Sequence, residues 1–369
     1  MKSALCILIL YGFILPCGGQ QGPSSVSKFQ EHSPEAEAEL QIGIRLTHDG
    51  HFSEAIPHLL ATQGRVSENY AASFDLALCY VATGHSNDAI KTLNRLTGGE
   101  HDADVYDLLA QAYVGNVQSV EARDSLEKAA AVTPQNEKLY LLVADACMGK
   151  QNYALGLQVV DLGLRHLPDS ARLHYQRGMF LSLMDQFDSG KNDFELARRL
   201  APESTIAFVA AAQEFMFEGD VPEAIRVARE GIRTGHQDFI LALLGEALLR
   251  SGISPGQPEF AEARNALETS VGERPNYAGS QLALGKLYLL ENRTGDAIAH
   301  FEVARRLSTG NPAVYSNLAT AYRKQGNLQQ AESALAILAK LNHEQAKKIR
   351  SAPGERKVGY GEGAEAVPK

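Results

Sequence analysis

Three independent columns of residues predict an all-α chain of stacked helical hairpins. Small residues recur at Gly43, Ala77, Ala110, Ala144, Gly178, Ala212, Gly245, Gly285 and Ala319, in steps of 33 or 34 with a single step of 40. A second small column keeps the same register at Ala55, Ala89, Ala122, Gly156, Gly190, Ala224, Ala263, Ala297 and Ala331. Pro134, Pro168 and Pro202 then close three successive blocks 34 apart. A fixed period of this length marks a repeat array, in which each hairpin buries its apolar face only against its neighbours.

Counting places from Ala36 in the first block puts the small columns at places 8 and 20. Two helices of a hairpin cross there, and only Gly or Ala lets the backbones approach. Large residues at place 11, such as Tyr80, Tyr113, Phe215, Tyr288 and Tyr322, fill the space beside the crossing. Gly50, Gly84, Gly219, Gly252 and Gly326 share place 15, where the first helix ends and a left-handed residue is wanted. Pro222 falls at the start of a second helix, where a missing N–H costs little.

The two blocks Ala278–Asn311 and Pro312–Gln345 overlay at a shift of 34. Leu284-Gly285 falls on Leu318-Ala319, Tyr288 on Tyr322, Ala297 on Ala331 and Phe301 on Leu335. This spacing resembles the tetratricopeptide repeat. The resemblance implies a right-handed α-solenoid of about nine helix–turn–helix units, with first helices lining a concave groove that holds a peptide or partner segment. There are departures. The tryptophan favoured at place 4 is absent; Tyr106, Tyr140, Phe208 and Tyr315 stand in for it, whereas Glu39, Ser73 and Gln281 do not. The first block is the weakest, as suits a cap, and the seventh carries six extra residues around Ser254–Pro258, read as an enlarged turn.

The array is expected over 36–345. Residues 1–19 read as an export signal: Lys2, an apolar run Ala4–Leu15, then small residues to Gly19. That run is short of the ~20 residues a membrane span takes. Cleavage near Gly19 is the leading expectation, and Cys17 offers a lipid anchor as the alternative. Residues 20–35 form a polar linker, and 346–369 a terminal helical turn followed by a Gly/Pro-rich tail expected to be disordered. The mature protein is thus placed outside the cytoplasm, periplasmic or secreted.

A net charge of −9 argues against nucleic acid as partner, because phosphates demand a basic stripe. Cys79 and Cys147 lie on first helices two repeats apart, beyond the ~7 Å a disulfide tolerates, so two buried free thiols are expected. No nucleophile, phosphate-loop or metal-ligand spacing occurs, and no cofactor or catalytic residue is expected. His48 and His51 flank a turn without further ligands nearby.

Places 2, 5, 9 and 12 of each block point into the groove by helical spacing. Lys138, Met148, Arg172, Tyr175, Met179, Gln213, Met216 and Phe239 are the candidate partner-binding residues, with Lys138 and Arg172 as a pair of charges for an anion. The expected function is a non-enzymatic interaction scaffold outside the cytoplasm. A structural spacer in a cell-envelope assembly, or a non-catalytic subunit of an enzyme complex, is the alternative.

Overall fold

The computed structural model describes residues 33–67, 69–99, 102–236 and 239–351. Residues 1–19, expected as an export signal and including Cys17, most of the expected polar linker and the tail after residue 351 lie outside them. Among the described residues every regular element is a helix, and the helices pair into nine hairpins. The first four are α1 (Pro34–His48) with α2 (Phe52–Thr62), α3 (Asn69–Ala82) with α4 (Ser86–Leu93), α5 (Asp102–Gly115) with α6 (Ser119–Val132), and α7 (Glu137–Gly149) with α8 (Tyr153–His166). The fifth to seventh are α9 (Ala171–Leu183) with α10 (Phe187–Leu200), α11 (Thr205–Glu218) with α12 (Val221–Arg233), and α13 (Ile240–Arg250) with α14 (Pro258–Glu273). The last two are α15 (Ala278–Leu290) with α16 (Thr294–Leu307), and α17 (Pro312–Gln325) with α18 (Leu328–Ser351).

The extra residues of the seventh block form the α13–α14 turn, as expected. Two boundaries differ from the regular pattern. Helix α4 has only 8 residues, because the chain beyond it turns at Gly98 and Gly99, whose N–H groups donate to the Asp102 carboxylate at 2.7 and 3.0 Å. Helix α18 runs 24 residues and passes residue 345 without a break.

The crossing columns work by a trade of volume between two places. A Cβ at Gly178 would lie 2.8 Å from the Phe194 ring and 3.0 Å from the Gly190 carbonyl, and one at Gly190 would lie 2.9 Å from the Gly178 carbonyl. The backbones of α9 and α10 therefore touch, and the ring at place 24 slides into the space that place 8 leaves empty. The same geometry puts Leu59 against Gly43, Leu267 against Gly245 and Phe301 against Gly285. These place-24 side chains, with Leu93 and Leu126, are fully buried. Burying a Leu or Phe contributes roughly 1.5–3 kcal/mol, and filling that slot with a Cβ would force the core apart.

Place 4 has a second task. Tyr140 and Tyr315 each donate their hydroxyl to the carbonyl six residues earlier, Pro134 and Thr309, at 2.9 Å. His174 reaches Pro168 at 2.9 Å and Gln281 donates to Pro275 at 2.7 Å in the same way. A phenol, an imidazole and an amide thus pin the same inter-repeat turn. In three repeats where place 4 is polar but not Tyr, place 23 answers it: Glu39 with His58, His174 with Asp193 (2.8 Å), Gln281 with His300 (2.7 Å). Asp193 also takes two bonds from Arg177, at 2.7 and 2.8 Å. Burial alone would raise its carboxyl, but the bonds from His174 and Arg177 outweigh that and hold it below the usual range.

Cys79 and Cys147 are buried free thiols, as their spacing predicts. Burial raises both, Cys147 to about 12.

The array curls far enough to meet itself. Ser308 Oγ donates to the Gly149 carbonyl at 3.0 Å and Lys150 Nζ to Thr309 Oγ1 at 2.9 Å. A Cβ on Gly149 would stand 3.2 Å from the Leu307 carbonyl, and one on Gly310 3.1 Å from the Lys150 carbonyl. The α7–α8 corner and the α16–α17 turn are thus clasped backbone to backbone, and an open channel runs along the concave faces between them.

Place 15 is left-handed in all nine hairpins. Its five glycines have φ between 80° and 84°, and Val117, Gln151, Asp185 and Asn292 hold φ of 61°, 53°, 62° and 62° in the other four. Val117 is the costly one, a β-branched residue in a region that charges an L side chain roughly 1–2 kcal/mol. Its side chain is 74% exposed and gains little packing in return. Val117→Gly relieves that strain while adding ~0.5–1 kcal/mol of unfolded-state entropy. A net gain of about 0.5–1 kcal/mol, read as a melting point ~1–2 °C higher, is expected; an unchanged or lower melting point means the backbone there is not strained.

Candidate functional site: the concave channel

Helices α7, α9 and α11 line a cavity of about 330 Å³ on the concave side. Met148, Arg172, Tyr175, Met179 and Phe239 all border it, so five of the eight expected residues come together. The others do not. Met216 is only 2% exposed and belongs to the apolar core shared by the last four repeats, so it packs between helices and offers no free surface. Gln213 is half-buried and outside the cavity lining. Lys138 also lies outside the lining, within electrostatic reach of Asp107.

The expected pair of charges is not brought together at the cavity. Arg172 Nη1 is 3.7 Å from Glu137 Oε2 on its own rim, and Lys138 lies outside the lining, near enough to Asp107 to favour its ionised form. Spacing alone assigned these cations to one face; it could not show which carboxylates stand near them.

Two residues missed by helical spacing complete the cavity. Arg274 and Tyr277 belong to the α14–α15 turn, to which no helical face can be assigned, yet curvature brings them opposite α7 and α9. The Tyr277 ring meets Phe239 edge-on, with centroids 5.5 Å apart and planes at 80°. The Arg274 guanidinium lies 3.7 Å above the Phe239 ring, a cation–π contact. Phe239 and Tyr277 stay 43% and 40% exposed, large apolar surfaces facing into the channel. Although Tyr277 touches solvent, the surrounding walls desolvate it, and burial followed by the nearby Glu246 and Asp145 carboxylates pushes its phenol to about 12. Burial raises Tyr175 and Asp145 as well; Gln176 donates to Asp145 at 2.6 Å and partly offsets the latter.

The walls are acidic toward the third and fourth repeats. Asp107 on α5 is raised to about 7, by burial first and then by Asp104, against the opposing effects of the Gln111 hydrogen bond (3.3 Å) and Lys138. Among the described residues no three His, Cys, Asp or Glu side chains are grouped to hold a metal ion. His48 and His51 each contact a neighbouring carboxylate, Asp49 at 3.3 Å and Glu54 at 3.2 Å. No described helix is long and apolar enough to cross a membrane.

Family models described as tetratricopeptide repeat match residues 46–112 and 288–352, and a second such model matches 256–312. Over those residues the chain carries tetratricopeptide repeats. It is similar to the human mitochondrial import receptor subunit TOM70, with 23% identity over 244 residues. That match covers 63% of this chain but only 40% of TOM70. Among solved structures, an APC/C hetero-tetramer, Cut9–Hcn1, aligns at 18% identity and a TM-score of 0.49, over 85% of this chain and 68% of that one. A human IFIT1 dimer with m7Gppp-AAAA aligns at 18% identity and a TM-score of 0.47, over 73% and 67%.

Asp107 on α5 gives the fold a pH signature. Its folded pKa of about 7 lies above the ~3.9 of an unfolded Asp. The folded chain therefore holds this proton more tightly, and the group's contribution to stability falls as pH rises from about 4 to about 7. Asp107→Asn removes that slope. The variant is expected to melt with the parent at pH ~4 and above it at pH ~8. Equal melting points at both pH values would show that Asp107 is well solvated.

Proposed function

We propose that this protein is an exported, non-enzymatic scaffold that holds a segment of a partner protein in its concave channel. A tetratricopeptide array is a scaffold for protein–protein interaction; the site and the location are the finer part of this reading. The observation that carries the site is the exposure of the large Phe239 and Tyr277 rings on the lining of the concave cavity. A stacked Arg274, two aromatic rings and the flexible Met148 and Met179 offer what interface hot spots use, rigid aromatic and Arg anchors beside adaptable thioethers. The clasp between the α7–α8 corner and the α16–α17 turn suits retention of a threaded segment.

The capture experiment is crosslinking of the native protein followed by Tyr175→Ala with Phe239→Ala. Truncating two anchors worth ~2 kcal/mol each should cut recovery of the crosslinked partner more than tenfold, while circular dichroism still reports a helical array. If the double variant captures normally and Arg123→Glu on the outer helix α6 does not, the binding surface is the convex one. Loss in neither case favours a spacer.

Export rests on Lys2, the apolar run Ala4–Leu15 and the small residues ending at Gly19. N-terminal sequencing should find these residues gone from a protein outside the cytoplasm, and an intact Met1 on a cytosolic protein ends the reading. Cys17→Ala releases the protein from membranes only if that cysteine carries a lipid.

A further inference from the structure

The larger cavity on the concave side, about 720 Å³, lies further along, between α13, α15 and α17. Its charge sets it apart. Arg250, Lys286 and Lys324 line it against one carboxylate, Glu246, in a chain of net charge −9. Leu249, Leu282 and Leu289 form an apolar floor beneath them.

Two of the cations are held in place without being neutralised. Arg250 Nη1 donates to the Met216 carbonyl at 3.1 Å. Lys324 Nζ donates to the Leu289 carbonyl at 3.3 Å and to Asn292 Oδ1 at 2.7 Å. Met216 and Leu289 share place 12, and Arg250 and Lys324 share place 13, so the seventh and ninth repeats use one device. Each cation caps the C-terminal end of the preceding first helix, where the helix dipole favours it. The acceptors are uncharged, so the full positive charge remains for a ligand. Lys286, between them on α15, is half-buried and makes no hydrogen bond or ion pair with the described residues. Arg172 at the other end of the channel differs on this point, with the Glu137 carboxylate 3.7 Å away.

We infer that this cavity docks an extended, acidic segment of the partner protein, through side-chain carboxylates spaced about three residues apart. This rests on the reading of the concave face as the binding surface. First helices of successive repeats pack roughly 8–10 Å apart, and an extended chain of polyproline II form rises about 3.1 Å per residue and returns to the same face every third residue. Carboxylates at every third residue therefore meet the successive cations of α13, α15 and α17, each through a charge-assisted hydrogen bond. A nucleic acid is a poorer fit, since the field of the whole acidic chain repels a continuous phosphate backbone.

The test uses the full chain and a fluorescent, C-terminally amidated peptide of about ten residues with Glu at every third position, in a Gly/Ser background. Anisotropy should show it binding at least about tenfold tighter than its Gln counterpart, with the preference shrinking as salt rises. Lys286→Glu, which breaks no bond seen in the structure, should abolish that preference. Arg123→Glu makes the same change in net charge on α6 and should leave it intact. Equal binding of the Glu and Gln peptides overturns the proposal. So does an equal loss in the two variants, affinity that appears only with a free C-terminal carboxylate, or tighter binding of a single-stranded oligonucleotide of similar length. If the Glu peptide fails but the crosslinked partner is still lost on Tyr175→Ala with Phe239→Ala, this inference falls and the channel reading stands. If the partner is also captured normally by that double variant, both fall.

Discussion

The close approach of two backbones within each hairpin is the constraint on which the rest of the structure depends. Gly178 and Gly190 bring α9 and α10 into contact with no side chain between them, and Phe194 fills the slot that results. A hairpin built this way has one flank of large apolar groups that it cannot cover alone. The next repeat covers it, so the core extends as a chain of linked clusters and not as one central mass. Packing density is then a local matter, repeated nine times.

What joins one repeat to the next is chemically less uniform. At place 4 the geometry asks for a donor that reaches the carbonyl six residues back, and Tyr140, His174, Gln281 and Tyr315 all supply one. The volume left over by the smaller or more polar choices is taken up by a matching polar group at place 23, as with Asp193 beneath His174. A second link appears near the C-terminal end, where Tyr288 and Tyr322 donate to Glu268 and Glu302 of the preceding repeats at 2.9 Å. Both devices satisfy buried polar groups that would otherwise cost about 1–3 kcal/mol each.

Curvature converts these local rules into a site. Each repeat adds a small rotation, and the sum brings the α14–α15 turn opposite α7 and α9 and locks the α7–α8 corner onto the α16–α17 turn. The channel that results is not uniform along its length. Carboxylates desolvated by the walls, Asp107 and Asp145, mark one part of it, and cations held by neutral carbonyls mark another. The exposed Phe239 and Tyr277 rings stand between these two regions of opposite polarity.

Periodicity by itself determined the helices, the hairpin count, the enlarged turn of the seventh block, the crossing columns and the two unpaired thiols. These are set by contacts within a hairpin or between adjacent hairpins, and such contacts recur at a fixed spacing that a single chain displays. It also identified the glycines of place 15, but not that Val117, Gln151, Asp185 and Asn292 adopt the same left-handed backbone, because there the turn between the two helices overrides a residue's own preference. The site was only partly legible. Helical spacing grouped Met148, Arg172, Tyr175, Met179 and Phe239, which do line one cavity, since all project from one face of their helices. It misplaced Met216, because one helical face serves both as channel wall and as packing surface for the next layer, and depth decides which. Arg274 and Tyr277, the clasp at Gly149 and Gly310, and the pairing state of every cation came only from the tertiary structure. Those depend on rotation accumulated over four or five repeats, which no local pattern of residues records.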